Sequence, residues 1–558
     1  MERIKSIPVF FSLIIIPLLL IYGCSTKSGS LVLKNDTFYY QLNASPVNNV
    51  LQFNISLAYK SDSTHIIQLP KDYYGTPNLY KWVTKITGGN GTRVIDVYKK
   101  PDSRKIIPNE KNKVYINYTI KYDPVVLNNY SYAPDVSPSF FYMAGCQWML
   151  PIGTIDSTYN YKIKMTTNEK GWTFYSSLSE NTDNIALKTT FDDLISAGFG
   201  GSDKSQVKKS FEVKGNKVSL FIQGNYSFDK KDFVNKLKKI ITAEKAFFND
   251  YDQPFYYITI LPRTGLLAGA SVPNLFYCFV DSAKQGKELY RLIAHEYFHS
   301  WLPNKMNIPT KKGEYSFKTE WFSEGFTEYF SRKILFENNI IDKKYYVDTF
   351  NDDIISIANN PSANESYKEI AKRSRFGAAQ KKLSYYRGAL IALKWDNQLK
   401  RKGSSLKNMI LSLFKKASES KGIIAESDIY NYGKKYSLDF KKDIEHYIIQ
   451  GKSIDLLPGA FEGYQLRKEI IRLFDPGFDV RKSAREKIIQ GVAINGPSYK
   501  AGLRNGMKYI RRRNSNRWNN SWSDTTPYSV TVSIDGKEKE IDFFPLGKQK
   551  DVLLYEKN

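Results

Sequence analysis

AHEYFHSW, residues 294–301, sets two histidines four positions apart with a glutamate directly after the first. In the longer run KELYRLIAHEYFHSWL, Leu289, Leu292, Ile293 and Phe298 fall on a partial helical stripe, which predicts a buried helix. Residues i and i+4 of a helix project to one side, so His295 and His299 aim two imidazoles at a common point. That pair suits one zinc ion held tetrahedrally, and Glu296, about 100° around the helix, can face a water at the open position. The chain has four histidines, His65, His295, His299 and His446. Chance placement of two of them around a glutamate at this spacing is rare. The competing explanation is a hydrogen-bonded pair in a core.

Two histidines need a third protein ligand to form a catalytic metal site. EWFSEGFTEYF, residues 320–330, offers Glu320, Glu324 and Glu328 on a second predicted helix. HEYFHSW and SEGFTEY together resemble the gluzincin zinc peptidases, whose third ligand is the glutamate of an NEGF or SEGF motif. The resemblance implies Glu324 as that ligand and one zinc per chain. The interval from His299 to Glu324 exceeds that of the large aminopeptidase branch and is closer to the glycyl-aminopeptidase branch, which reads HE-FFH-W and SEGFT. Glu328, one turn past Glu324, is placed to hydrogen-bond a ligand histidine and fix its tautomer. For Glu328 and for Glu320 the alternative is a surface charge. LSYYRGALIALKW, residues 383–395, is similar to the YxKGA segment of these peptidases, whose tyrosine donates to the oxyanion. That implies Tyr385, with Tyr386 as the fallback.

The rest of the chain divides by periodicity. At 558 residues it is too long for one ordinary core. From residue 31 to 225 the runs VLQFNISLAY, KVYINYTIKY and KVSLFIQGNY alternate, with turn signals such as GGNG at 88–91 between them, which predicts an all-β sandwich. KKDFVNKLKKIITAEKAFF then puts Phe233, Leu237, Ile240, Ile241 and Phe248 on a helical stripe, and helices dominate a catalytic domain over 226–455. KGSS, residues 402–405, reads as an interhelical loop. Residues 456–558 form a small β module, with a hairpin closed by Asp535-Gly536. GWTFYSSL at 171–178 resembles the end of the β-sandwich of glycyl aminopeptidases, and GPSYKAGLRNGMKYI resembles the core of the PDZ module found C-terminal in that family. The expected fold class is therefore multidomain: an N-terminal all-β sandwich, a mainly helical thermolysin-like α+β catalytic domain, and a PDZ-like C-terminal module.

The N-terminus carries an address. Arg3 and Lys5 precede an apolar run from Ile7 to Tyr22 that ends at Gly23-Cys24. Residues 1–23 read as a lipoprotein signal peptide, Cys24 as the lipidated residue after cleavage, and 24–30 as a polar tether. The expectation is an exported bacterial lipoprotein, anchored in a membrane on its periplasmic or cell-surface side. The net charge of +26 comes from lysines spread along the chain. With no zinc-finger spacing, phosphate loop or basic stripe interleaved with aromatics, nucleic acid is not an expected partner. Cys146 and Cys278 sit in apolar stretches and read as buried thiols.

One feature departs from the family. Its aminopeptidases read the substrate amine with a carboxylate on an edge strand, but RTGLLAGASVPNLF, residues 263–276, contains neither Asp nor Glu. Gly265 and Gly269 allow close backbone approach there, and NLFYCFV is a candidate to pair with an extended substrate. In the C-terminal module, Lys508 stands where PDZ domains usually carry an aspartate. The expected function is hydrolysis of a peptide or protein substrate by a zinc-activated water with Glu296 as base. Aminopeptidase action is favoured, with endopeptidase action or a non-catalytic peptide-binding scaffold as alternatives.

Overall fold

The computed structural model describes residues 14–15, 37–47, 50–71, 78–122, 134–182, 184–263, 266–281, 286–310, 317–373, 378–513 and 527–558. The expected leader, apart from 14–15, lies outside these residues, as do Cys24 and the tether. Among the described residues no helix is long and apolar enough to cross a membrane. Packing separates two compact units, one spanning Leu18–Lys238 and Asn249–Gln285, the other Lys239–Phe248 and Gly286–Asn558.

The first unit is built on strands. Ile185–Thr190, Thr158–Thr167, Thr37–Val47, Val50–Lys60, Lys113–Lys121 and Val83–Gly88 lie side by side in that order. Their side chains alternate: Val114, Ile116, Tyr118 and Ile120 point inward while Lys113, Asn117 and Lys121 are exposed. A second sheet orders Thr173–Ser176, Gly198–Ser202, Phe140–Ala144 and Asp135–Ser137. The two sheets share one core, in which Phe53 meets Phe141 at 5.0 Å and Trp148 meets Phe199 edge-on at 5.1 Å. Cys146 and Cys278 are both buried thiols with no disulfide between them.

A third sheet runs in the order Leu267–Val272, Leu275–Val280, Phe255–Pro262, Asn216–Ile222 and Val207–Val213. The change of period near residue 229 marks a helix start, and Lys230–Phe248 is that helix. Strands on either side of it, Asn216–Ile222 and Phe255–Pro262, pair in parallel. Parallel neighbours need a crossover of this length, so the strands before the helix share a sheet with those after it. The same topology corrects one expectation. Leu275–Val280, the core of NLFYCFV, is parallel to Phe255–Pro262 on one side and antiparallel to Leu267–Val272 on the other. It has no open edge for a substrate strand.

The second unit is helical and then β. It takes the end of the crossover helix from Lys239; along the whole helix Phe233, Leu237, Ile240, Ile241 and Phe248 are buried, as the stripe predicts. The helices Lys287–Phe298, Phe317–Ser323, Gly325–Glu337, Lys343–Ala358, Tyr367–Arg373, Ala378–Lys400 and Leu406–Glu419 follow. KGSS is the loop between the last two. Beyond residue 460, Tyr464–Phe474 pairs antiparallel with Leu546–Lys557. Lys508–Arg513, Tyr528–Ile534 and Lys537–Phe543 form a three-stranded sheet. Its hairpin turns at Asp535 and Gly536, with φ of 52° and 79°, the left-handed pair that an Asp-Gly turn supplies. Nine buried side chains, among them Phe478, Leu503, Val530 and Ile541, give this part a core of its own.

The crossover helix carries one costly group. Glu244 is fully buried, and neither carboxylate oxygen has a hydrogen-bond partner among the described residues. Burial pushes its carboxyl well above the usual range. The folded state therefore keeps a proton that the unfolded chain releases near pH ~4, and stability falls as pH rises beyond that point. Glu244→Gln, the neutral isostere, is expected to melt with the wild type near pH ~4 and several degrees higher near pH ~8. Coincident melting curves at both pH values, followed by calorimetry, would contradict this placement of Glu244.

Candidate metal centre

Two helices bring the site together. Lys287–Phe298 presents Arg291 and His295, with His299 at its C-cap, in steps of four; the Glu320–Arg332 segment presents Glu320, Glu324, Glu328 and Arg332 in the same steps. Each set forms a stripe down one helical face, and the stripes oppose each other. His295 Nε2 is 3.2 Å and His299 Nε2 3.4 Å from Glu324 Oε2. His295 Nδ1 is 3.5 Å from Glu328 Oε1, and Arg291 Nη2 donates to Glu328 Oε2 at 3.2 Å. The turn after His299 folds back so that its Nδ1 contacts the Leu302 carbonyl at 2.7 Å, which directs Nε2 toward Glu324. Aromatic packing secures the helix from behind: Phe298 stacks on Phe330, and Trp301 on Phe248.

His295, His299 and Glu324 each offer a ligand atom within 4.8 Å of the other two, and all three are buried. Two imidazole nitrogens and one carboxylate oxygen are a donor set that fits zinc with a position left open. Beside them Glu296 is fully buried with both oxygens lacking a hydrogen-bond partner among the described residues. A carboxylate left unsatisfied in a dry site costs free energy, and Glu296, unlike Glu244, bears that cost next to two candidate metal ligands.

The electrostatics separate five groups that lie close together. Burial lowers His295 to about 4, so its neutral form is favoured. Burial also acts to lower His299, but Glu324, Glu296 and the Leu302 carbonyl outweigh it and bring it up to about 9. Burial pushes Glu296 up to about 8. Glu324 would be raised the same way, but the two histidines hold it down at about 2. Glu328 is held well below the usual carboxylate range against the effect of burial by Arg291 and Arg332. Glu328 and Glu320 are 3% and 2% exposed, so neither is a surface charge.

The helix Ala378–Lys400 closes the site. Tyr385 is buried, its ring parallel to that of His295 at 6.3 Å. Burial raises its phenol well above the ordinary value, with Glu324, Glu320 and Glu296 adding to the rise and Glu324 hydrogen-bonded to it. Tyr386 looks elsewhere: its hydroxyl bonds Ser356 and its strongest charged neighbour is Asp353. Lys382, one turn before Tyr385, lies 4.4 Å from the Tyr385 ring centroid. Burial lowers its ammonium to about 8, opposed by Glu328, Glu324 and Glu296.

What lets this helix approach is glycine on both sides. A Cβ built on Gly325 would lie 2.4 Å from Gly388 Cα, and one on Gly388 would lie 2.0 Å from the Trp321 carbonyl oxygen. The glycines that follow Glu324 and Tyr385 in their motifs are thus the crossing point of two helices. Gly269 also meets protein: its Cβ would lie 2.5 Å from the Phe276 ring of the neighbouring strand. Gly265 lies outside the described residues. Sequence reading missed Arg291, Arg332, Asp353 and Lys382. Arg291 and Arg332 were open to it, since each stands four residues from a site residue, His295 and Glu328.

Residues 288–418 match the family model of the M61 glycyl aminopeptidases. The resemblance carried by HEYFHSW, SEGFTEY and LSYYRGA therefore extends over a continuous segment. A crystal structure of an aminopeptidase N family protein from Idiomarina loihiensis superposes with a TM-score of 0.67 at 16% identity, over 92% of this chain and 97% of that one. An M1 zinc metallopeptidase from Deinococcus radiodurans gives a TM-score of 0.46 at 13% identity, over 76% of this chain and 96% of that one. The first of these shows a shared fold. No curated protein matches the chain.

The glycine crossing is testable by its smallest perturbation. Gly325→Ala and Gly388→Ala each force backbone apart and are expected to cost at least about 3 kcal/mol, the upper end of overpacking effects. Bound zinc should fall with them, because Glu324 and Tyr385 separate. A variant that melts like the wild type and holds a full equivalent of zinc would show that the crossing is looser than described.

Proposed function

We propose that this protein is an exported zinc peptidase acting on the N-terminal end of peptides. The observation that carries the reading is Glu296, a buried and unsatisfied carboxylate beside a converging His295, His299 and Glu324. A binding or scaffold protein has no use for such a group, because Glu296 contributes nothing to holding metal.

Zinc held by His295, His299 and Glu324 supplies Lewis acidity, lowering the pKa of water and polarising a peptide carbonyl. The protein's own residues do the rest. Glu296, buried beside the ligands with no hydrogen-bond partner among the described residues, takes the proton of the attacking water and returns it to the leaving amine. Tyr385, kept as a neutral phenol by burial, donates to the carbonyl oxygen as charge develops there. Glu328 holds His295 so that Nε2 stays available. The buried walls of the site exclude bulk water, which strengthens each of these interactions.

Export is the reading that the apolar leader ending at Gly23-Cys24 supports, with Cys24 as the lipid attachment. The C-terminal PDZ-like module serves a structural role. Asn351 donates to the Tyr555 carbonyl at 2.9 Å and accepts from its N–H at 2.8 Å, fastening the module to the helix Lys343–Ala358. A specific observation favours endopeptidase action as the second reading: the segment Arg263–Phe276 offers no carboxylate to receive a substrate amine.

The test pairs wild type with Glu296→Gln on matched peptides, N-terminally free or acetylated. Both proteins should bind one equivalent of zinc, and only the wild type should release amino acids from the free peptides. Tyr385→Phe should lower kcat by roughly 10²–10³-fold with KM little changed. Cleavage of the acetylated peptides selects the endopeptidase reading. Zinc binding with no cleavage of either kind sinks the peptidase proposal.

A further inference from the structure

The chemistry above uses Glu328 only through His295 and leaves a larger buried charge cluster unexplained. Arg332 is 0% exposed. Its Nη2 and Nε donate to Glu328 Oε2 at 2.7 and 3.0 Å. On its other side, Nη1 and Nη2 donate to Asp353 Oδ2 and Oδ1 at 2.6 and 3.2 Å. Arg291 adds a further bond to the same Oε2 at 3.2 Å. Every arginine donor to Glu328 thus takes Oε2, and Oε1 is the oxygen that faces His295 Nδ1.

Such a cluster is a weak source of stability. Two guanidinium groups and two carboxylates lose their hydration on burial, and apolar residues of similar size commonly stabilise a core as well or better. Its distinctive property is direction, since a planar fork bound to two carboxylates admits one orientation of each. Asp353 is itself on a secured element. It lies on the helix Lys343–Ala358, whose Asn351 pairs twice with Tyr555 and whose Ala358 carbonyl accepts from Lys550 Nζ. Phe350 of that helix lies beneath the Arg332 guanidinium at 5.2 Å and packs on Phe461 at 5.3 Å.

We infer that Arg332, anchored by Asp353, is a positioning residue for the metal. By occupying Oε2 of Glu328 it keeps Oε1 3.5 Å from His295 Nδ1 and so fixes the setting of the ring whose Nε2 turns toward Glu324 and the metal. The inference rests on the metal site of the preceding section and adds to it a clamp reaching from a zinc ligand to the helix that the C-terminal strands grip.

The test uses the full chain and the variants Asp353→Asn, Glu328→Gln and their double. Asp353→Asn keeps the size of the side chain and one acceptor, and Arg332→Lys, which retains the charge without the fork, is the second route should the first fail to fold. Zinc affinity is read by chelator competition, and the setting of the His295 ring by ¹⁵N-histidine NMR of the zinc-loaded protein, where four histidines keep the spectrum tractable. Either single variant should lose roughly 10–100-fold in zinc affinity, and the double should be no worse than the poorer single. In the zinc-loaded variants the His295 ¹⁵N signals should move from their wild-type positions or broaden. A folded Asp353→Asn or Arg332→Lys protein with wild-type zinc affinity and wild-type His295 signals overturns the clamp, as does full additivity in the double. A wild type that holds no zinc rejects the metal reading itself, a distinct outcome.

Discussion

The site depends on a contact without side chains. Gly325 and Gly388 place two helix backbones against each other, closer than any Cβ would permit. One helix has just delivered Glu324 and the other Tyr385, so the crossing brings a candidate zinc ligand and a candidate oxyanion donor to one place. Close approach of this kind leaves little room for adjustment, since interiors are packed to crystal density. The glycines of the two motifs are therefore part of the geometry of the candidate site although neither carries a functional group.

Against that crossing, the arrangement of charge follows from helical periodicity. Steps of four put Arg291, His295 and His299 on one face and Glu320, Glu324, Glu328 and Arg332 on another. When the faces meet, Arg291 reaches Glu328 and the two histidines reach Glu324, all of them buried. Burial alone would drive every carboxylate upward. The neighbours decide otherwise for Glu324 and Glu328, whereas for Glu296 burial outweighs the pull of His299 and raises it to about 8. Its position in the motif, between two ligands but turned aside from them, is what gives it a separate electrostatic fate.

Much of this was legible in the sequence where the information is local. The His295–His299 spacing, the crossover helix at Lys230–Phe248 and the Asp535–Gly536 hairpin each depend on residues within one or two turns. The rest depends on pairings that no local pattern encodes. The sequence suggests a break near residue 225, but Asn216–Ile222 joins Phe255–Pro262 across the intervening helix. NLFYCFV reads as a strand, and it is one, but only the sheet order reveals that both its edges are taken. Gly269 reads as room for a substrate, whereas Phe276 fills that room. Arg332 and Asp353 stand on different helices, and their pairing is a matter of tertiary packing.

The most direct measurement is diffraction from the zinc-loaded protein at energies on either side of the zinc absorption edge. The account predicts one anomalous peak per chain, within about 2.3 Å of a nitrogen of His295, a nitrogen of His299 and an oxygen of Glu324. A peak at other residues, or none in crystals shown to contain zinc in solution-equivalent amounts, would contradict it.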